Sequence, residues 1–183
     1  MRTLFLYIFG VSVFTVIFFD ATITNAQTSS SLLLTWRAHT LAPAEYQGKT
    51  LPIRGARVTT SLAAFQNGTL LDLSSRDISW FVNNRRYQTK KGGVDFEFVI
   101  PAQAESTVTI KSIVLNTAQG NLEKIISLSV ARPEIVIDAP YPSYTLTPTL
   151  HLFRALPYNF TANRINQILF RWSANGIAAE GAP

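Results

Sequence analysis

The chain has 183 residues, no cysteine and a formal net charge of +5, with 47% hydrophobic and 15% charged residues. The missing thiols exclude thiolate metal sites, cysteine nucleophiles and disulfide cross-links, so a fold here must be held by hydrophobic burial. The positive excess is mild and spread along the chain, and neither a zinc-finger spacing nor the aromatic RNP pattern occurs, so nucleic acid is not an expected partner.

Met1 and Arg2 are followed by an uncharged apolar run, TLFLYIFGVSVFTVIFF, over residues 3–19. A positive amino end, an apolar core and a small-residue exit at Thr24-Asn25-Ala26 form the pattern of a secretory signal peptide, which predicts cleavage after Ala26. The run falls between the ~7–15 residues of a signal core and the ~20 that span a bilayer, so an uncleaved hydrophobic helix serving as a signal anchor is the alternative. Residues 1–26 are set apart on either reading. Their removal takes away one cation, Arg2, and one carboxylate, Asp20, and leaves the net charge at +5. An exported chain without cysteines fits a bacterial envelope: periplasm, cell surface or medium.

Beyond residue 26, apolar and polar residues alternate with a period of two, the mark of half-buried strands. The pattern predicts strands near 32–37, 57–65, 69–73, 77–83, 94–100, 107–116 and 122–131. In VDFEFVI, Val94, Phe96, Phe98 and Ile100 share one face while Asp95 and Glu97 share the other. Turn signals separate the runs at Asn67-Gly68, Asn83-Asn84, Gly92-Gly93, Pro101 and Gly120-Asn121. About seven such strands in 27–132 predict an all-β domain, an Ig-like antiparallel β-sandwich with Trp80 facing the opposite sheet.

Residues 133–183 open with four prolines between Pro133 and Pro148, which read as a joint between domains. Inside it, Glu134 to Asp138 alternates like the first strand of a second, similar unit. ISWFVNN at 78–84 and FRWSANG at 170–176 repeat one phrase, with Trp80 and Trp172 standing 92 positions apart. Eleven residues follow Trp172, too few to close a second sandwich. This incomplete second Ig-like domain therefore predicts either further chain beyond Pro183 or strands borrowed from a partner.

The stretch LTWRAHTLAPAEYQGKTLPIRGARVTTSLAAF, the ISWFVNN and FRWSANG phrases and the joint PEIVIDAPYP together resemble the tandem Ig-like or PKD-like domains of exported bacterial cell-surface proteins. The resemblance covers residues 34–176, and the two Trp phrases are similar to the W-x-x-N-G turn of those repeats. Asn84 stands where that pattern has Gly, and there is no cysteine pair. What the resemblance implies is a spacer, adhesion or envelope-binding module whose partners are envelope or extracellular glycans or proteins. A non-catalytic accessory part of a carbohydrate-active or envelope enzyme is the alternative from another class.

No constellation points to catalysis, a cofactor or a metal. His39 and His151 have no ligand-type spacing, and neither H-E-x-x-H nor G-x-S-x-G occurs. Asp95 and Glu97 share a strand face, where an acid/base pair is conceivable but a solvated surface with lysines across the sheet explains them more simply. Asp72 and Asp77 flank a turn without a calcium loop, and Glu134 or Asp138 would be the donors for a calcium ion at the joint. Tyr141, Tyr144, Tyr158 and Phe160 read as joint packing rather than a sugar-stacking platform. The densest charge, NNRRYQTKKGG, puts Arg85, Arg86, Lys90 and Lys91 around Tyr87 between two strands. These four are the candidate site for an anionic ligand, against the simpler reading of a solvated loop that guards a sheet edge. Membrane contact is expected only through the N-terminal segment, if it is retained.

Overall fold

A computed structural model describes residues 29–139 and 153–178. The hydrophobic run at 3–19, the prolines at 140–148, His151, Tyr141 and Tyr144 lie outside the described residues. Among the described residues no helix is long and apolar enough to cross a membrane.

The described residues are all-β, built from antiparallel strands: β1 (Ser30–Ala38), β2 (Arg57–Gln66), β3 (Thr69–Leu70), β4 (Asp77–Val82), β5 (Arg85–Lys91), β6 (Asp95–Val99), β7 (Thr107–Thr117) and β8 (Gly120–Ser129). Then come β9 (Glu134–Asp138), β10 (Arg154–Tyr158), a 3-10 turn at Ile165–Gln167, and the short pair β11 (Ser173–Ala174) and β12 (Ile177–Ala178). One sheet pairs β1 with β2, whose other edge is shared by β6 and β3; the second runs β5-β4-β7-β8. They form a β-sandwich.

Alternation decides which side chains meet between the sheets, because successive residues of a strand face opposite ways. Val58, Leu62 and Ala64 of β2 and Phe96 and Phe98 of β6 face Ile78, Trp80 and Val82 of β4 and Val108, Ile110 and Val114 of β7. Trp80 is 0% exposed. Its ring stacks on Phe96 of the opposite sheet at 5.3 Å between centroids, and Phe96 stacks in turn on Phe98 at 5.4 Å. The indole Nε1–H donates to the Gly93 carbonyl at 2.8 Å, which satisfies the one polar atom this large side chain brings into the core. The connection that delivers Gly93 requires glycine beside it. Gly92 has φ +63°, and a β-carbon there would meet the Ser74 carbonyl oxygen at 2.8 Å.

The repeated phrases share a hairpin rather than a core position. Asn83 and Asn84 have φ of +47° and +63°, and Asn175 and Gly176 have +52° and +82°, so both pairs occupy the left-handed positions of a type I′ turn three residues past a tryptophan. Asn tolerates this region better than other non-glycine residues, which is how Asn84 stands in for Gly. The tryptophans differ in surroundings. Trp80 lies in the sandwich core, whereas Trp172 precedes β11 and is only partly buried.

Beside Trp80 in register sits Ser112 of β7, fully buried with an Oγ that finds no hydrogen-bond partner. In urea unfolding of the full chain, Trp80→Ala is expected to lower stability by about 3–5 kcal/mol, since it deletes the aromatic stack and leaves a cavity. Ser112→Ala is expected to leave stability unchanged or raise it by up to about 1 kcal/mol, because it removes an unsatisfied buried hydroxyl.

Candidate functional site

Arg85, Arg86, Lys90 and Lys91 lie on β5, an edge strand of the β5-β4-β7-β8 sheet, and not in a loop. The run RRYQTKK has no apolar face, so the alternation that marks the other strands is invisible in it; pairing with β4 makes it a strand. Register against β4 slips between Trp80 and Phe81, whose partners are Gln88 and Arg86, leaving Tyr87 as the extra residue of a β-bulge. The bulge turns Tyr87 toward Phe96 of the other sheet, edge to face at 5.9 Å, across the open side of the sandwich.

Cross-strand register then assembles a cluster that spacing along the chain does not reveal. Arg86 of β5, Phe81 of β4 and Lys111 of β7 occupy one rung on the outer face. The Arg86 guanidinium and the Lys111 ammonium both sit over the Phe81 ring, 5.3 and 4.8 Å from its centroid, within cation–π range. Lys91 pairs in register with Asp77 on the same face, while Arg85 and Lys90 alternate to the inner side and extend from the rim. Lys111 had no marker in the sequence, since only pairing with β4 brings it beside β5.

The other candidates are tied to structural partners. Asp95 accepts a hydrogen bond from the Ser61 hydroxyl at 2.6 Å, and Glu97 pairs with Arg57 at 3.3 Å, so their cross-strand partners are a serine and an arginine of β2 instead of lysines. His39 Nε2 lies 2.8 Å from the Thr59 hydroxyl. Asp72 accepts from both the amide and the hydroxyl of Ser74, which hold its carboxyl below the usual carboxylate range. Among the described residues, no three of His, Asp and Glu come together in a metal-binding group.

Residues 153–160 are joined to the sandwich through the loop between β1 and β2. Leu41 and Phe160 form an antiparallel bridge: Leu41 N–H donates to the Phe160 carbonyl at 2.7 Å, and Asn159 N–H donates to the Leu41 carbonyl at 2.8 Å. Asn159, in the left-handed region at φ +59°, also accepts from Leu51 N–H at 3.2 Å. Tyr158 packs edge to face on Tyr46 at 5.6 Å. Arg154 spans Glu45 at 3.2 Å and Asp138 at 3.3 Å, so at this joint a guanidinium is the cation beside Asp138. In the same β1–β2 loop Lys49 lies over the Trp36 ring at 3.7 Å, and partial desolvation pulls its ammonium below the ordinary lysine value.

No protein-family model matches the chain, and no curated protein or solved structure does. The functional reading therefore stands on these contacts.

Asn159→Ala is expected to weaken the joint by about 0.5–1.5 kcal/mol, because it removes the acceptor of the Leu51 amide and the left-handed preference together. Amide hydrogen exchange is the check: Leu41 and Leu51 should exchange faster in the variant while β4 and β7 keep their protection.

Proposed function

We propose that this chain is an exported cell-envelope protein in which an Ig-like sandwich acts as a rigid spacer and binding module, without catalysis. The observation that carries the reading is the joint. The core is complete by β8, and the next strand pair, β9 with β10, is fastened to the sandwich by a backbone bridge, a shared asparagine and an ion pair from Arg154 to Glu45. Serial units tied in this way transmit position, as a spacer must.

Sheet membership supports the Ig-like assignment. β1, β2 and β6 share one sheet while β4, β7 and β8 share the other, which corresponds to strands A, B, E and C, F, G of that fold, with tryptophan on the C-equivalent strand. Antibody domains set a disulfide against that tryptophan. Here Ser112 lies beside Trp80, and burial alone closes the core, in keeping with a chain that has no cysteine. Residues 133–183 would begin a second unit of similar kind.

Export is supported by the uncharged run at 3–19 and the small-residue exit at Ala26. It is tested by expressing the full chain with a C-terminal tag in a bacterium, fractionating the cells and sequencing the amino end of the product. A product beginning at Gln27, or an uncleaved one digestible by protease added to spheroplasts, is the expected outcome. An uncleaved product protected inside the cytosol would overturn the assignment.

A further inference from the structure

We propose that the outer face of the β5-β4-β7-β8 sheet, with its β5 edge, binds an acidic polysaccharide, with Arg86 and Lys111 at the centre and Arg85, Lys90 and Lys91 along the rim. This rests on the reading of the chain as an exported binding module and supplies that module's ligand class.

The two sheets divide the charge unequally. Strands β4, β5, β7 and β8 carry six cations, Arg85, Arg86, Lys90, Lys91, Lys111 and Lys124, against Asp77 and Glu123, a net of +4 in a chain whose total is +5. By register Arg86, Lys91 and Lys111 share the outer face with both carboxylates, and Arg85 and Lys90 add their charge from the β5 edge. Strands β1, β2, β3 and β6 carry Arg37 and Arg57 against Asp95 and Glu97, and sum to zero. The pairing is equally lopsided. The ion pairs among the described residues join Arg57 to Glu97 and Arg154 to Glu45 and Asp138, and none involves a cation of the β5-β4-β7-β8 sheet.

Edge protection accounts for lysines and arginines on β5, where charge discourages strand-to-strand association. It does not account for Lys111, which sits on the interior strand β7 and is drawn to Phe81 opposite Arg86. Two like charges over one ring repel each other, and an anion bound between them relieves that repulsion. Because the ring already orders both side chains, little further ordering is needed on binding.

The surroundings select among anionic polymers. Thr109 and Ser127 share a rung beside the Arg86–Phe81–Lys111 row and offer hydroxyls suited to sugar hydroxyls, while Thr89 on the other side of the row is bonded to the Ser79 hydroxyl at 2.7 Å. Duplex DNA is read by a helix or protruding ribbon in a groove, and single strands by free aromatic faces. Here Phe81 is covered by cations, and Tyr87, 47% exposed and edge-on to Phe96, is a single ring rather than a row on which successive bases could stack. A membrane surface would want apolar anchors, and on this face Ile125 is the large aliphatic side chain exposed among the described residues.

The test uses the full chain titrated calorimetrically with polygalacturonate, with neutral dextran as control. Binding to polygalacturonate but not dextran is expected, weakening at least about tenfold as salt rises from about 50 to about 200 mM. The pair Arg86→Gln with Lys111→Gln should weaken binding at least about fivefold, and neutralising all four β5 cations to Gln should abolish it. The pair Arg37→Gln with Arg57→Gln, an equal charge change on the other sheet, should stay within about twofold of wild type. Thermal unfolding of each variant separates lost binding from lost fold. Equal losses for the two pairs, or no binding by wild type at low salt, would overturn the proposal. So would tighter binding at equal salt to duplex DNA or to phosphatidylglycerol–phosphatidylcholine vesicles, or a four-fold Gln variant that self-associates while still binding polygalacturonate. Binding by the purified chain is read independently of cellular delivery, so a cytosolic product would sink the export reading alone.

Discussion

The indole of Trp80 must be buried, stacked and hydrogen-bonded at once, and the rest of the sandwich is arranged around that requirement. Without disulfides, the two sheets are held by apolar contact, and Trp80 contributes the largest single side chain to it. Its ring reaches Phe96 in the opposite sheet, and its N–H needs an acceptor in a place water does not reach. The Gly93 carbonyl provides one. For that carbonyl to arrive, the chain leaving β5 must turn sharply at Gly92 against Ser74, where a side chain has no room.

That turn links core to surface. The same β5–β6 connection that satisfies the indole anchors the end of β5 against β4, and the bulge at Tyr87 closes the flank by laying a phenol against Phe96. With β5 held as the edge strand, its cations gather along one edge of the sandwich, and register with β4 and β7 sets Lys111 beside Arg86 on the outer face. A packing constraint inside thus becomes a charge distribution outside. The opposite sheet carries its cations and carboxylates in balance, so the excess charge belongs to the β5-β4-β7-β8 sheet and is densest along its β5 edge.

Strands buried on one face were legible because burial writes itself into alternation. VDFEFVI, TVTIKSIVL and ISWFVNN lie where their periodicity put them, and the Asn-Gly and Asn-Asn pairs form the tight turns their chemistry favours. β5 was not legible, since an edge strand with both sides solvated carries no alternation for a reader to detect. Lys111 was hidden for another reason: its neighbours come from other strands, and register is a property of pairing. The joint was hidden most completely. The proline-rich run pointed to a boundary, but a bridge between the backbones of Leu41 and Phe160 leaves no trace in residue type. The two Trp phrases illustrate the division. Their shared Asn turn is a local property and recurs in both, whereas burial depends on what packs above and separates Trp80 from Trp172.

Hydrogen exchange at the indole nitrogens of the full chain tests this account most directly. If Trp80 unites the sheets, its Nε1–H should exchange only through global unfolding, with the same denaturant dependence as the β4 and β7 amides, while the Trp172 Nε1–H exchanges far faster. A Trp80 Nε1–H that exchanged as readily as that of Trp172 would contradict the account.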